Sequence, residues 1–447
     1  MTSERGRPFA ALRLSDHGMT FVLVLLCAFF SVMTWNEQHP TGAAAARQLA
    51  DAVAKEPGGR DGTVIVVRDY EEDAAFASAL EARLKERGVT VVGTVRGQPA
   101  AARRAIAELG AGGRRVAVFA CNEVTSSWSV FDPLRERYPS LAGAKVLKPE
   151  PYRWPDFLKT ENLLNVANQI AVIAVIAIGM TMVIITGGID LSVGSLIALS
   201  AVVTSRLIRD AAGGESAGAW GMFLAGLAGI LACAASGAFS GMMVTLFRIP
   251  PFIATLGMML VTSGLAYILA DGQSINQVPE SFVRLGRGAD LLRVPNAVVL
   301  MFLLYAVAHV LMTRTVFGRY IYAVGGNATA SRLSGVPVRR VLVWVYTLCG
   351  ALAGLGGVVM ASQLKSGAPT YGQMYELYVI AAVVVGGTSL SGGEGRIFGT
   401  LIGAFIIAVI QNGMNLMGVE SYTQKIVLGL VILGAVLADR VKRGLVR

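Results

Sequence analysis

The chain has 447 residues, of which 54% are hydrophobic and 15% charged, and its mean hydropathy is +0.59. These values exclude an ordinary soluble globular protein and indicate that most of the chain is embedded in lipid. The net charge of +10 does not indicate a nucleic-acid partner, because nine of the ten net charges lie outside residues 37–161, where membrane topology explains them.

Apolar runs of about 20 residues, the length that crosses a bilayer as a helix, mark the membrane part. Ten spans are predicted, at 18–36, 163–187, 191–208, 219–246, 251–270, 295–313, 341–362, 375–391, 395–417 and 424–438. Several boundaries are soft, and 191–208 and 375–391 are short for complete crossings, so nine or eleven spans also fit. The first run lacks a small-x-small cleavage pattern, which favours an uncleaved helix over a signal peptide.

Lysine and arginine in the short loops favour cytoplasmic N- and C-termini. The predicted cytoplasmic segments carry Arg5, Arg7, Arg13, Arg248, Arg314, Arg319, Arg332, Arg339, Arg340, Arg440, Lys442, Arg443 and Arg447. On the other side, basic residues are accompanied by acidic ones: Arg206, Arg209, Arg284, Arg287 and Arg293 with Asp210, Glu215, Asp271, Glu280 and Asp290.

A soluble domain is predicted at 37–155, between a first segment at 1–36 and a membrane domain at 156–447. Residues 37–161 hold 18 Lys/Arg and 17 Asp/Glu, whereas the other 322 residues hold 21 and 12. Its predicted elements are a strand at 62–69, a helix at 71–87, a strand at 89–95, a helix at 99–109 and a strand at 114–123. This alternation favours a small parallel sheet covered by helices, and the topology puts the domain outside the cytoplasm.

Two glycine-rich segments suggest a degenerate internal repeat. IITGGIDLSVGS (184–195) and VGGTSLSGGEG (385–395) align at an offset of 199. Glycine-broken apolar segments at matching places in two halves indicate a translocation pathway or hinge. A lone intramembrane carboxylate is costly and is usually functional. The candidate residues are Gly187, Gly188, Asp190, Ser192, Gly386, Gly387, Ser389 and Ser391. The alternative is that these glycines only allow close helix packing. Asp190 is interpreted as a cap or hinge latch for the following helix.

Three long motifs resemble one family. They are GMTMVIITGGIDLSVGSLIALSAVV (179–203), GRYIYAVGGNATASRLSGVPV (318–338) and YELYVIAAVVVGGTSLSGGEGRIFGTLIGAFIIAVIQNGMNLMGV (375–419). In this order they resemble the permease subunits of ribose/xylose-type ABC sugar importers, within the branched-chain amino acid/sugar permease superfamily. The resemblance covers residues 155–440 and departs from the family at the 37–155 insert, which itself is similar to part of one lobe of a periplasmic sugar-binding protein.

The resemblance implies a permease of the bacterial inner membrane that forms a homodimer. It implies that an extracytoplasmic binding protein delivers the sugar and that a cytoplasmic ATPase drives transport. The chain itself lacks a G-x-x-x-x-G-K-[ST] phosphate loop and a plausible hydrolytic constellation, so it is expected to be neither an enzyme nor a cofactor-binding subunit. ATP and Mg would be used by the partner. The four cysteines suggest neither a disulfide framework nor a metal cluster.

The cytoplasmic loop 317–340 is the best candidate handle for the ATPase. Asn327 can cap a short helix over 328–334, Gly335 can end it, and Pro337 blocks its continuation. By resemblance this is the coupling helix, with candidate residues Gly326, Asn327, Ala330, Arg332, Leu333, Ser334 and Gly335. The alternative is an ordinary basic loop.

Two other function classes stay open beside the importer. One is an ion-coupled secondary transporter, although the predicted spans hold few ionisable groups beyond Asp190 and Glu376. The other is a membrane sensor whose insert binds ligand, with Asn122 and Glu123 at the end of the third strand as candidate ligand contacts or as part of a solvated loop. Because a single lobe lacks the second wall of a sugar pocket, the insert is expected to dock a binding protein instead of capturing sugar.

Overall fold

The computed structural model describes residues 18–444, with side-chain burial described to residue 437. Contacts divide it into two compact units, one formed by Trp35–Pro155 and the other by the residues on either side. Several basic residues of the predicted cytoplasmic termini lie outside the described backbone or side chains: Arg5, Arg7, Arg13, Arg440, Lys442, Arg443 and Arg447.

The inserted unit follows the first described helix, α1 (Gly18–Met33). Its strands are β1 (Trp35–Gln38), β2 (Thr63–Val67), β3 (Val91–Arg96), β4 (Val118–Cys121), β5 (Lys145–Leu147) and β6 (Tyr152–Pro155). Its helices are α2 (Gly42–Lys55), α3 (Glu71–Glu86), α4 (Pro99–Ala111), α5 (Glu123–Ser126) and α6 (Phe131–Arg137), with a 3-10 turn at Pro139–Leu141. The predicted strand and helix alternation is therefore confirmed, with boundaries shifted by a few residues.

The central sheet has the order β3-β2-β4-β5, and all its neighbouring strands are parallel. Every residue of β2 is buried, because helices cover both faces of the sheet. Ile65 and Val67 face a cluster with α2 and α3, whereas Val64 and Val66 face one with α4 and α6. The strands β1 and β6 form a separate antiparallel ribbon that pairs Trp35 with Pro155 at one end.

The second unit is a helix bundle. Its helices after α1 are α7 (Thr160–Ile185), α8 (Val193–Ala211), α9 (Ala219–Leu246), α10 (Pro251–Leu269), α11 (Arg284–Arg287), α12 (Asn296–Arg314), α13 (Val316–Gly326), α14 (Ala328–Leu333), α15 (Val338–Leu364), α16 (Tyr375–Val385), α17 (Ile397–Leu416) and α18 (Ser421–Gly444). Short 3-10 turns lie at Asp156–Leu158, Gly214–Ser216 and Glu280–Val283. The very apolar α7 is the most buried long helix and contacts α12, α15, α16 and α17.

Six described helices are long and apolar enough to cross a membrane: α7, α9, α10, α12, α15 and α17. Each coincides with one of the ten predicted spans. The predicted spans at 18–36, 375–391 and 424–438 correspond to shorter apolar helices, and 191–208 corresponds to α8, which carries several polar residues. The chain is thus a multi-pass helical membrane protein, while the count of ten stays a prediction.

Two predicted segments differ in the structure. The run at 375–391 is helical only to Val385, because Gly386 and Gly387 end the helix and Gly387 adopts a positive φ of 89°. The predicted loop at 317–340 contains α13 in addition to the short helix. Residues Gly318, Ile321 and Val324 form the buried face of α13. Residues three apart lie on one face of an α-helix, and the sequence interpretation overlooked this pattern.

Three arginines on the predicted outer side form ion pairs with acidic residues. Arg209 lies 2.5 Å and Arg206 3.3 Å from Asp210, and Arg284 lies 2.9 Å from Asp290. Their carboxylate partners are among the acidic residues that accompany the basic ones on this side in the sequence.

Candidate functional site

The first glycine-broken junction lies where α7 ends. Beyond Ile185 the chain turns at Gly187, whose φ is +80°. The Gly187 amide donates to the Ile184 carbonyl at 2.9 Å and the Gly188 amide to the Val183 carbonyl at 3.0 Å. These hydrogen bonds satisfy carbonyls at the helix end, so the main chain can leave the helix inside the bundle.

Asp190 stabilises the turn that follows. Its side chain is completely buried, and Oδ1 accepts hydrogen bonds from the Ser192 amide at 2.9 Å and the Ser192 hydroxyl at 2.6 Å. The Thr255 hydroxyl on α10 lies 3.2 Å from both the Leu191 amide nitrogen and the Ile189 carbonyl oxygen. The carboxylate therefore holds the residues that lead into α8, which is the hydrogen bonding that a latch requires. The hinge role itself stays a prediction.

The second junction reproduces this geometry. After α16 ends at Val385, the Gly387 amide donates to Val384 at 2.9 Å and the Thr388 amide to Val383 at 3.1 Å. The Ser389 hydroxyl oxygen then accepts a hydrogen bond from the Ser391 amide at 3.1 Å.

The two copies match in two registers. The helix ends coincide at an offset of 200, since Gly387 takes the position of Gly187. The turns coincide at the predicted offset of 199, since Ser389 acts as Asp190 does and accepts a bond from the amide two residues further on. One residue fewer between helix end and turn in the second copy explains the difference.

Several candidate pathway residues are buried in this conformation. Asp190, Ser192 and Ser389 are at most 1% exposed. Gly187, Gly387 and Ser391 are exposed, while Gly188 is buried and Gly386 is intermediate. Their role as a pathway or hinge therefore stays a prediction, and the three buried side chains do not line an open surface here.

The two junctions meet the end of α13, just before the predicted coupling helix. The Gly393 amide donates to the Ile185 carbonyl at 2.8 Å. A Cβ atom added at Gly325 would overlap that same carbonyl oxygen and lie 2.7 Å from the Gly393 nitrogen. A Cβ added at Gly392 would lie 3.0 Å from the Gly325 carbonyl oxygen and 3.2 Å from the Gly187 nitrogen. The three glycine-containing segments are thus packed backbone against backbone, an arrangement we call the glycine junction.

The predicted short helix is α14, and its capping is as expected. Asn327 precedes it, and its Oδ1 accepts a hydrogen bond from the Ala330 amide at 2.9 Å. The helix ends at Leu333, one residue earlier than predicted, and Gly335 takes a φ of +85°. The predicted helix, its cap and its glycine stop are confirmed, whereas its coupling role stays a proposal.

The surface around α14 is exposed and basic. Leu333 is 86% exposed, and Arg332, Arg339, Arg340 and Ser334 are also exposed. Among the side chains described, residues 18–437, no carboxylate lies in ion-pair distance of these three arginines. Arg332, Arg339 and Arg340 also border a cleft of about 510 Å³ that Pro337 lines. An exposed apolar side chain next to Arg332, on a basic surface, suits a partner with an apolar groove and an acidic rim.

Within the inserted unit, the two candidate ligand contacts are used internally. Asn122 caps α5 by accepting from the Thr125 amide at 2.8 Å. Glu123 lies 2.7 Å from Lys148 and 3.2 Å from His39. These contacts favour a structural role over ligand binding.

A partly buried ion pair lies at the same edge of the sheet. Arg68, just after β2, contacts the Asp73 carboxylate at 2.8 and 3.1 Å. Burial raises the pKa of Asp73, but hydrogen bonds from Arg68 and Asn122 outweigh burial, so the pKa lies below its usual value. Burial also raises the pKa of Cys121 to about 12, so this thiol stays protonated and unreactive.

Two functional candidates were missed from the sequence. Gly325 packs directly against the Ile185 carbonyl at the first junction. In the sequence, only the pair of glycines before Asn327 pointed to it. Thr255 holds the turn from another helix, and no local pattern marks it.

The chain has a bundle of long apolar helices and two matched glycine-broken helix ends, at Gly187 and Gly387. These features define it as a polytopic membrane transport protein. The family described as branched-chain amino acid transport system / permease component matches residues 162–436. The chain therefore belongs to this permease family. The inserted unit lies outside the matched residues.

Curated relatives agree with this membership. The ribose import permease protein RbsC of Escherichia coli (strain K12) is 46% identical over 294 residues, 65% of this chain and 88% of that protein. RbsC of Bacillus subtilis (strain 168) is 46% identical over 290 residues, 64% and 87% of the two chains. The D-allose transport system permease protein AlsC of Escherichia coli (strain K12) is 36% identical over 284 residues, 64% and 85%. No solved structure matches the chain.

Proposed function

We propose that the protein is the membrane permease subunit of an ATP-driven importer that moves a monosaccharide into the cytoplasm. Its similarity to two ribose permeases and a D-allose permease supports a pentose or hexose as substrate. The observation that carries the mechanism is the glycine junction, because it connects the exposed α14 with both broken spans. Movement of α14 by a partner would thereby reach both junctions through backbone contacts.

In this proposal α14 is the coupling helix that docks on a cytoplasmic ATPase. Leu333 would enter a groove of the partner, and the exposed arginines would face acidic residues on its rim. ATP and Mg would be bound and used by the ATPase, so this chain would be neither an enzyme nor a cofactor carrier. Both termini would be cytoplasmic, in the inner membrane of a bacterium.

The remaining partners are a second permease copy and an extracytoplasmic binding protein. Trp35–Pro155 would then lie outside the cytoplasm, where it would dock the binding protein and increase its local concentration near the permease. The parallel sheet supports a folded docking domain of one lobe, which lacks an opposing wall for a sugar.

The test replaces Leu333 with Asp and, separately, Ala330 with Pro. Asp would put a charge into the docking groove and Pro would break α14, so both variants should lose ATPase co-purification and D-ribose uptake. Leu292→Asp is the matched control, because Leu292 is 88% exposed on the predicted outer side. Undiminished uptake by the Leu333 variant would refute the docking assignment. Uptake that persists without any ATPase but stops when the proton gradient is collapsed would favour a secondary transporter.

A further inference from the structure

The connection between α15 and α16 folds back along α8. A Cβ added at Gly367 would lie 2.6 Å from the Ser205 hydroxyl oxygen, and one at Gly372 would lie 2.9 Å from the Ile197 Cβ. The connection therefore runs from the end of α8 towards its start before α16 begins at Tyr375. The half-length helix α16 therefore starts beside the first residues of α8 and not at the far end of α8.

The membrane depth at which α16 starts can be read from the part of α8 that it contacts. Gly194 precedes Arg206 by 12 residues, and Arg206 belongs to the ion-pair cluster at the far end of α8. At 1.5 Å per residue the separation is roughly 18 Å. Since the hydrocarbon layer is about 30 Å thick, Gly194 lies near its middle if the ion pairs mark the interface.

Glu376 lies at this depth. A Cβ added at Gly194 would overlap its Oε2, so the carboxylate rests directly against the start of α8. Glu376 is half-buried, and its carboxylate accepts a hydrogen bond from its own backbone amide. Its neighbours Gln373 and Leu377 are exposed. Ser195, next to Gly194, is half-buried and lies 2.7 Å from the Thr262 hydroxyl on α10.

This combination does not suit a surface that faces lipid. A carboxylate near the middle of a bilayer is costly unless it faces water or a polar partner. Irregular backbone at membrane depth is likewise tolerated where it lines an aqueous cavity, and transporters commonly build substrate sites at such discontinuous helices.

We propose that Gln373, Glu376 and Leu377 form a transient binding site for a neutral sugar on the translocation pathway, a ligand class that rests on the proposed function. The carboxylate would accept hydrogen bonds from two neighbouring sugar hydroxyls, and the Gln373 amide would bond a third. Leu377 would contact the apolar C–H face of the ring. This site differs from the two glycine-broken helix ends, where the side chains of Asp190, Ser192 and Ser389 are buried.

Water access is tested first, in whole cells and in inverted vesicles that contain the full transporter. Gln373→Cys and Leu377→Cys are treated with a charged, membrane-impermeant thiol reagent. Leu303→Cys on α12 is the lipid-facing control, because Leu303 is 59% exposed on an apolar span. The unmodified chain measures background from its native cysteines, of which three are buried. Both variants should react in at least one preparation and Leu303→Cys in neither. Equal labelling of all three variants, or none, would overturn the proposal and would fit a surface covered by lipid or by a second copy.

Sugar binding is tested by protection. D-ribose, D-xylose and D-allose are each added before the reagent to Leu377→Cys, which keeps both groups proposed to hydrogen-bond the sugar, Gln373 and Glu376. The sugar that the unmodified chain transports should slow labelling, and Glu376→Gln in the same background should raise the half-protecting concentration about tenfold, while Glu376→Asp restores protection. Labelling without protection by a transported sugar would overturn the site. Failure of the unmodified chain to transport any of the three would instead count against the proposed function, and uptake is measured separately for that reason.

Discussion

Gly325 is the position where a single methyl group should interfere with coupling. A Cβ there would overlap the Ile185 carbonyl oxygen and lie 2.7 Å from the Gly393 nitrogen, so backbone would have to move. The next residue, Gly326, provides a matched control, because a Cβ there has no atom within 4 Å. Both glycines belong to the last turn of α13, so Ala should affect helix propensity similarly at the two sites.

The expected magnitude follows from overpacking. Forcing an extra carbon into a packed site costs about 1–3 kcal/mol, and the obstacle here is main chain, which cannot change rotamer. The gain in helix propensity is about 1 kcal/mol in each variant and cancels in the comparison. If transport passes through the conformation with the packed glycine junction, Gly325→Ala should reduce uptake roughly 5-fold to 150-fold relative to Gly326→Ala.

The assay compares D-ribose uptake per inserted transporter, ATPase co-purification and ATP hydrolysis for the two variants. Gly325→Ala should still insert and bind the ATPase, since α14 is unchanged, but hydrolysis should no longer be matched by uptake. Equal uptake by the two variants would refute the view that the glycine junction transmits movement.

Three further outcomes are expected. Asp190→Asn should transport nearly normally, because its side-chain oxygen can still accept hydrogen bonds from Ser192. Asp190→Leu should lower the free energy of unfolding by about 1–3 kcal/mol for each buried group left without a partner. Loss of uptake in correctly inserted Asp190→Asn would mean that the charge is required. The isolated segment Trp35–Pro155 should fold and give no saturable heat with pentoses or hexoses in calorimetry, and a clear heat would make it a receptor. Because the pKa of Asp73 is lowered in the fold, its contribution to the stability of this segment is present at neutral pH and lost as pH falls below about 4. In denaturant titrations, the free energy of unfolding of Asp73→Asn should depend less on pH in that range than that of the unmodified segment. An unchanged dependence would contradict the assignment.

Local signals in the sequence were sufficient to predict the helices and strands. They were not sufficient to predict the tertiary contacts between them. Asn327 and Gly335 define α14 because capping and a left-handed glycine act within a few residues. The contact of Gly325 with Ile185 and Gly393 joins residues far apart in the chain, and no period or motif encodes it. Helix α13 was missed because its apolar face is short and includes a glycine.

The repeat was recognised from sequence but not its shift in register. An ungapped alignment can match either the helix ends or the turns, and the shared serine and glycine residues favoured the turns. Side-chain chemistry also differs where geometry is the same, since Asp190 and Ser389 accept equivalent hydrogen bonds. The turn therefore needs an acceptor and not a charge, which is the physical basis for expecting Asp190→Asn to be mild.

The connections of the inserted unit suggest that it can be removed without unfolding the bundle. The Asp156 amide donates to the Thr34 carbonyl at 2.9 Å, and the Phe157 amide donates to the Thr34 hydroxyl oxygen at 3.1 Å. The two chain ends that flank Trp35–Pro155 are therefore already held together within the bundle, so a short Gly-Ser linker can replace the segment. A fully buried Phe157 and its contact with Phe30 on α1 would remain.

The deletion variant should insert into the membrane and co-purify with the ATPase at normal levels, because α14 and the glycine junction belong entirely to the bundle. If the inserted unit docks a binding protein, uptake should fall at low D-ribose and recover when excess binding protein is added to proteoliposomes, since added protein replaces the lost local concentration. A deletion variant that cannot hold the ATPase would show that the insert supports the bundle itself. Normal uptake at every binding-protein concentration would rule out docking as its role.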